Sequence, residues 1–504
     1  MDRQIRRLGL ALLALFAALF AQVNYLQVFA AQRLEDNPAN ATRQLIAEYE
    51  VDRGSILAAD ARTVLAASRK SSGQLKYQRR YPQGPLYAGI TGYYSVIYGR
   101  SELEQAENEF LSGDAPQLLP QTLADQILGR PKRGATVVTT IDPVLQKAAE
   151  QALQQAIGGV STGGAVVAMD PGTGYVKAIV SIPTYDPNQL SSQDPAEVRK
   201  AWDQLTHDPD KPLISRAIDD IVPPGSTFKL VTASAALENG YGPDSEWPNP
   251  NVLDLPQTTA TLENFGGEHC LGGVSKITLA QALQISCNVV FGEVGLALGA
   301  DKLAAQAHAF GFAPDASSGD VPFDIPFQEG VFPDASYFSD RLPAVALSAI
   351  GQDNVAANPL QMALVASAIA NGGVEMRPRL VQEIRDPTGR VIESYAPEES
   401  GRPISAATAA ELTQMMVNVV RAGTGTAAQI PGVAVAGKTG TAQHGEGQPP
   451  HAWFVAFAPA ENPQIAVAVL VLDGGSLGNE ATGGQIAAPV AKAVIEAALS
   501  EGSG

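Results

Sequence analysis

Cysteine is nearly missing: the 504 residues hold two, Cys270 and Cys287, and neither belongs to a CxxC pair. A zinc cluster built on thiolate pairs is thereby excluded. The five histidines, His207, His269, His308, His444 and His451, form no HExxH motif. His269 beside Cys270 has no further ligand near it in sequence, so no metal site is expected. Aromatic residues make up only 6%, and 34 Lys and Arg face 52 Asp and Glu, for a net charge of -18. So acidic a chain repels phosphate backbones, and nucleic-acid binding is not expected. No unit of about 20–50 residues recurs, which removes solenoids and propellers. What remains is a chain that is 45% hydrophobic and 17% charged, a balance suited to globular domains with a large core. The length allows about two or three of them.

Long apolar runs are scarce too, with one exception. Leu8 to Ala21 is unbroken, and after Gln22 and Asn24 the apolar character resumes through Phe29. Read as one helix, residues 8–29 are long enough to cross a hydrocarbon core of about 30 Å. Arg3, Arg6 and Arg7 precede it, which predicts a cytoplasmic tail at 1–7, an anchor at 8–29 and the remaining chain outside. A cleaved signal peptide is the rival reading. Only Val28-Phe29-Ala30 offers tolerable small residues, and it lies late, so a retained anchor is expected. The expected location is the cell membrane, single-pass, with the main body in a compartment where a disulfide survives.

Glycines at 158, 159, 163 and 164 punctuate the chain, predicting one domain at 30–160 and a second at 161–500. Ala165–Met169 and Tyr175–Ile182 read as strands of a hairpin around Asp170-Pro-Gly-Thr-Gly174. Helical stretches follow near 226–238, 279–298, 359–371 and 406–421. Two strands come late, at 453–457 and 465–472, and a helix closes the chain at 486–499. Strands at both ends with helices between them predict an α+β domain whose sheet joins early and late segments.

Three short motifs carry chemistry. In Pro223-Pro-Gly-Ser-Thr-Phe-Lys229, Ser226 and Lys229 share one helix face. A serine hydroxyl needs a neighbouring base, and a lysine serves only if burial or another cation lowers its pKa. Ser286-Cys-Asn288 offers a second hydroxyl and an amide. Lys438-Thr-Gly-Thr441 follows an apolar strand and supplies a cation, two hydroxyls and a glycine that admits a close backbone approach. Each is short enough to arise by chance, as a capped helix end or a lysine-guarded strand edge. Together, in this order, they are the signature of β-lactamases and penicillin-binding proteins.

With these motifs the sequence resembles a class B penicillin-binding protein, closest to the actinobacterial penicillin-binding protein A type. Arg53-Gly-Ser-Ile56, Tyr81-Pro82, Gly92-Tyr93 and Leu111-Ser-Gly113 resemble positions of that family's N-terminal pedestal domain. Ser348-Ala-Ile-Gly-Gln352 and His451-Ala-Trp-Phe454 resemble its transpeptidase domain. Ala58-Ala-Asp-Ala61 departs from the Asp-Arg-Asn-Gly common there. The resemblance implies an antiparallel sheet of about five strands flanked by helices, preceded by an elongated pedestal. It implies Ser226 as nucleophile, Lys229 as base, Ser286 as proton shuttle, Asn288 as substrate-amide holder and Lys438 as the cation tuning Ser286. Thr439, Gly440 and Thr441 would bind the donor, and the N–H groups of Ser226 and Thr441 would form the oxyanion hole. The reaction implied is crosslinking of peptidoglycan stem peptides at their D-Ala-D-Ala ends, needing no metal or organic cofactor and inhibited by β-lactams, with a role leaning toward division. A D,D-carboxypeptidase and a non-catalytic cell-wall scaffold are the alternatives. A class B enzyme makes no glycan, so the resemblance also implies a SEDS-family glycosyltransferase partner of the FtsW/RodA type. Finally, two cysteines alone in an oxidising compartment predict a Cys270–Cys287 disulfide.

Overall fold

A computed structural model describes residues 2–26, 46–73, 75–159, 163–317, 321–445 and 447–501. The last expected anchor residues (27–29), the Val28-Phe29-Ala30 site and the expected domain boundary at 160–161 lie outside the described residues. Asp2–Asn24 (α1) is helical, and Arg3–Asn24 is long and apolar enough to cross a membrane. Its large side chains are exposed, Leu8 at 64% and Phe16 at 71%.

The next strands are Ile56–Leu57 (β1), Val64–Lys70 (β2), Tyr77–Arg80 (β3) and Thr136–Thr139 (β4). Helix Pro143–Ile157 (α2) starts where Pro143 pre-sets φ and Asp142 caps the N–H groups of Val144 and Leu145. Gly164–Met169 (β5) and Val176–Ile182 (β6) form a hairpin. The helices Lys229–Glu238 (α3), Leu279–Gln284 (α4), Asn288–Leu298 (α5) and Pro359–Ala370 (α6) follow. Val381–Arg385 (β7) and Val391–Ser394 (β8) precede helix Ala406–Ala422 (α7). The chain then runs through Ala436–Ala442 (β9), His451–Ala458 (β10), Ile465–Val471 (β11) and helix Ala488–Glu501 (α8).

Two sheets organise these elements. The first has the order β8-β7-β4-β1-β2-β3, so a hairpin from late in the sequence completes a sheet begun near residue 56. Its early end is clamped by a buried network in which Glu104 takes Arg53 at 2.7 Å and Arg79 at 2.5 Å. The second sheet, β9-β10-β11-β5-β6, is antiparallel and joins early and late segments, as the sequence predicts. Both its faces are covered, which is why β5, β10 and β11 are nearly unbroken apolar runs rather than alternating ones. Val166, Ala168, Phe454, Val467 and Val469 pack with residues of α2 and α8 on one face. Val167, Met169, Trp453, Val455 and Leu470 pack with residues of α3 and α6 on the other. Helix α2 precedes the expected boundary, yet its Leu145, Ala149 and Leu153 belong to the core of this second sheet. Eleven residues of helix α6, Pro359 to Ile369, are buried, and all but Gln361 and Ser367 are apolar or small.

One predicted helix is two. The stretch 279–298 divides into α4 and α5, with Ser286 between them at φ 60°. A left-handed backbone at a non-glycine residue breaks the helical ladder, and it persists only where surrounding groups hold it.

Candidate active site

The turn before α3 sets the geometry. Pro223 and Pro224 cannot continue a helix, and Gly225–Phe228 forms a single 3-10 turn that runs into α3. Thr227 Oγ1 donates to the Pro224 carbonyl at 2.7 Å, Gly225 N to the Gly351 carbonyl at 3.0 Å, and Trp453 Nε1 to the Pro223 carbonyl at 3.0 Å. The turn is thus tied to β10 and to the Ser348–Gln352 segment. Phe228 anchors it from below, stacked on Phe332 with ring centroids 5.4 Å apart. Ser226 is left half-buried, facing a cleft of about 1220 Å³. Gly440 on β9 is held close to this turn: a Cβ there would meet the Pro224 carbonyl oxygen at 2.9 Å and Thr227 Cγ2 at 3.0 Å.

Lys229, one turn along, is fully buried. Its Nζ donates to Asn288 Oδ1 at 2.7 Å and to the Ser286 carbonyl at 2.8 Å, and lies 3.4 Å from Ser286 Oγ. Lys438 arrives from β9, on the face that Ala436 and Ala442 turn into the core. Its Nζ donates to Ser286 Oγ at 2.8 Å and to the Thr439 carbonyl at 2.8 Å. Ser286 therefore sits between two buried amines. The bond from Lys229 to its carbonyl is one of the groups that hold its φ positive.

Burial, and then the charge of Lys438, hold the Lys229 amine well below the ordinary lysine range. Burial pushes Lys438 down to about 7. A neutral amine has two N–H donors and one lone pair. Asn288 and the Ser286 carbonyl take the two donors of Lys229, which leaves its lone pair for a hydroxyl. Such a set can chemically remove a hydroxyl proton and deliver it elsewhere.

The three motifs thus converge on one cleft, lined by Ser226, Ser286, Asn288, Thr439 and Thr441. Cys270 and Cys287 are disulfide-bonded, with Cα atoms 6.0 Å apart. The bridge ties the loop after Asn264 to the residue between Ser286 and Asn288. Sequence reasoning missed two participants. Asn264 Oδ1 accepts the N–H groups of Asn288 at 2.8 Å and Val289 at 3.2 Å, capping α5 from a distant loop. Thr424 Oγ1 lies 2.6 Å from Thr439 Oγ1. Neither lies in a motif, and no local pattern announces either.

A buried lysine pair around a serine, beneath a half-exposed serine at a helix start, defines a serine acyl-transfer site on an α+β scaffold. The comparisons agree. The profile of the penicillin binding protein transpeptidase domain matches residues 164–496, and that of the penicillin binding protein A dimerisation domain matches 53–137. The peptidoglycan D,D-transpeptidase PbpA of Mycolicibacterium smegmatis is 44% identical over 507 residues, covering 100% of both chains. Among solved structures, the ceftriaxone acyl-enzyme of penicillin-binding protein A from M. tuberculosis has a TM-score of 0.84 at 41% identity, covering 90% of this chain and 100% of that one. Its penicillin G acyl-enzyme has a TM-score of 0.80 at 42% identity, covering 89% and 99%. The chain belongs to the penicillin-binding protein transpeptidase family, in its penicillin-binding protein A branch.

Proposed function

We propose that the chain is a penicillin-sensitive peptidoglycan D,D-transpeptidase that works through an ester on Ser226. The observation that carries the reading is Ser286 Oγ held between two buried amines, 2.8 Å from Lys438 Nζ and 3.4 Å from Lys229 Nζ. Ser226 Oγ bonds to the carbonyl carbon of the donor's penultimate D-alanine while its proton passes to Lys229. The bond to terminal D-alanine breaks, and the departing nitrogen takes a proton through Ser286 Oγ. A neutral acceptor amine then attacks the ester carbon, gives its proton to the same relay, and frees Ser226. Lys438 orients and polarises Ser286. Asn288 Nδ2 holds the donor's amide, Thr439 and Thr441 its carboxylate, and the N–H groups of Ser226 and Thr441 its developing oxyanion. A β-lactam enters by the same first step. Relatives named D,D-transpeptidase and neighbours captured as β-lactam acyl-enzymes support this.

Residues 30–160 would be the pedestal and 161–500 the catalytic domain, with α1 as a retained anchor. The arginines before α1 favour a cytoplasmic N terminus, and the disulfide favours an oxidising compartment for the catalytic domain. A SEDS-family glycosyltransferase in the same membrane would supply the glycan, and the resemblance leans toward a role in division. Intact-mass measurement after incubation with penicillin tests the core of this: one adduct, located on the peptide containing Ser226, is expected. An adduct that persists in Ser226→Ala overturns it. Pentapeptide stems should give crosslinked dimers; release of D-alanine without dimers would make the protein a carboxypeptidase.

A further inference from the structure

His444 lies in the loop between β9 and β10, His451 opens β10, and Asp473 lies two residues past the end of β11. None of the three has a part in the acyl-transfer scheme. The fold nevertheless gathers them. The two imidazoles lie face to face, with centroids 3.8 Å apart. Asp473 Oδ1 is 3.0 Å from His444 Nε2 and 3.6 Å from His451 Nδ1, and all three donor atoms lie within 4.8 Å of one another. With bonds of about 2.0–2.2 Å, the edge of a tetrahedral zinc site is about 3.3–3.5 Å. The two measured separations bracket that edge. His451 Nδ1, on a largely buried ring, accepts the N–H of Asp473 at 3.2 Å, so it is the unprotonated ring nitrogen, and an ion bound there displaces that N–H.

From this geometry we propose that His444, His451 and Asp473 bind one divalent transition-metal ion of the zinc class. Two imidazole nitrogens and one carboxylate oxygen suit zinc or a similar first-row ion, with water completing the shell. Coordination turns the His444 ring out of the stack and exchanges its 2.8 Å contact with the Pro449 carbonyl for the ion. Its place on an exposed loop permits that movement. The ion clasps the β9–β10 loop to the segment after β11. Both run into the cleft wall, the first through Gln443 and the second through Thr482 and Gly484. The clasp therefore stiffens the side of the cleft that carries Thr439 and Thr441. Sequence spacing hid the set, because only the sheet brings residue 473 beside the hairpin.

The test uses the untagged full-length chain in detergent, titrated with Zn²⁺ by calorimetry and with Co²⁺ by visible absorption. One equivalent of each is expected, with the intense d–d bands of low-coordinate cobalt, and Zn²⁺ should raise Tm. His444→Gln and Asp473→Asn change side chains that are only partly buried, 24% and 43% exposed. Each should weaken Zn²⁺ binding by at least about tenfold, since even outer partners of metal ligands are worth that much, and each should abolish the cobalt bands. Absence of stoichiometric binding in the wild type, or unchanged binding in either variant, overturns the proposal.

Discussion

Replacing Lys229 with alanine isolates the step on which the proposed chemistry depends. In the structure its fully buried amine donates to two acceptors, at 2.7 and 2.8 Å, which in the neutral form leaves one lone pair. Loss of a positioned general base costs about 10²–10⁴ in rate, which corresponds to about 3–5 kcal/mol of activation free energy. The variant also leaves the Ser286 carbonyl without this donor, at about 1–3 kcal/mol of stability, so folding must be checked by thermal unfolding. The assay is the second-order rate of acylation by a fluorescent penicillin, read on gels and by intact mass across pH. In the wild type the rate should fall as pH is lowered, because a proton on Lys229 occupies the lone pair. In Lys229→Ala the rate should be lower by at least about 10², and that acidic limb should disappear. A folded variant that acylates within about tenfold of wild type, or that keeps the same limb, refutes the base assignment.

Reduction of the Cys270–Cys287 bridge, which spans a separation of 17 residues, should remove about 3 kcal/mol of stabilisation on the chain-entropy view. Calorimetry should show a lower Tm and acylation should slow without stopping; an unchanged Tm refutes this. A Cβ at Gly483 would lie 2.1 Å from the Trp453 carbonyl oxygen and 2.5 Å from that of Gly440. Gly483→Ala should therefore displace β9, cost about 1–3 kcal/mol in urea unfolding and lower the acylation rate, and wild-type values for both would contradict the packing. Because burial holds Lys438 near 7 and an unfolded lysine titrates near about 10.4, the unfolded chain binds the extra proton between those values. Stability should rise with pH across that window and fall as pH returns toward 7. Urea midpoints at both ends of the window, in wild type and Lys438→Met, should show the slope shrinking in the variant.

Much of this protein could be read along the chain. The strands around 165–182 and 453–472 were legible because burial on both faces writes itself as an apolar run. The three motifs were legible for a related reason: each places its functional groups within four residues, on one turn or one strand edge. What sequence alone could not decide is whatever depends on contacts across the fold. The break between α4 and α5 is made by Lys229 and Lys438 reaching Ser286 from elements far away in sequence. The low pKa of each lysine arises from burial, which no residue string displays. Asn264 caps a helix it does not precede, and β7 and β8 return to a sheet begun more than half the chain earlier. Local patterns encode hydrogen bonds and hydrophobic periodicity between near neighbours. The proposed proton relay is set by electrostatics between distant residues, and those become neighbours only when the chain has folded.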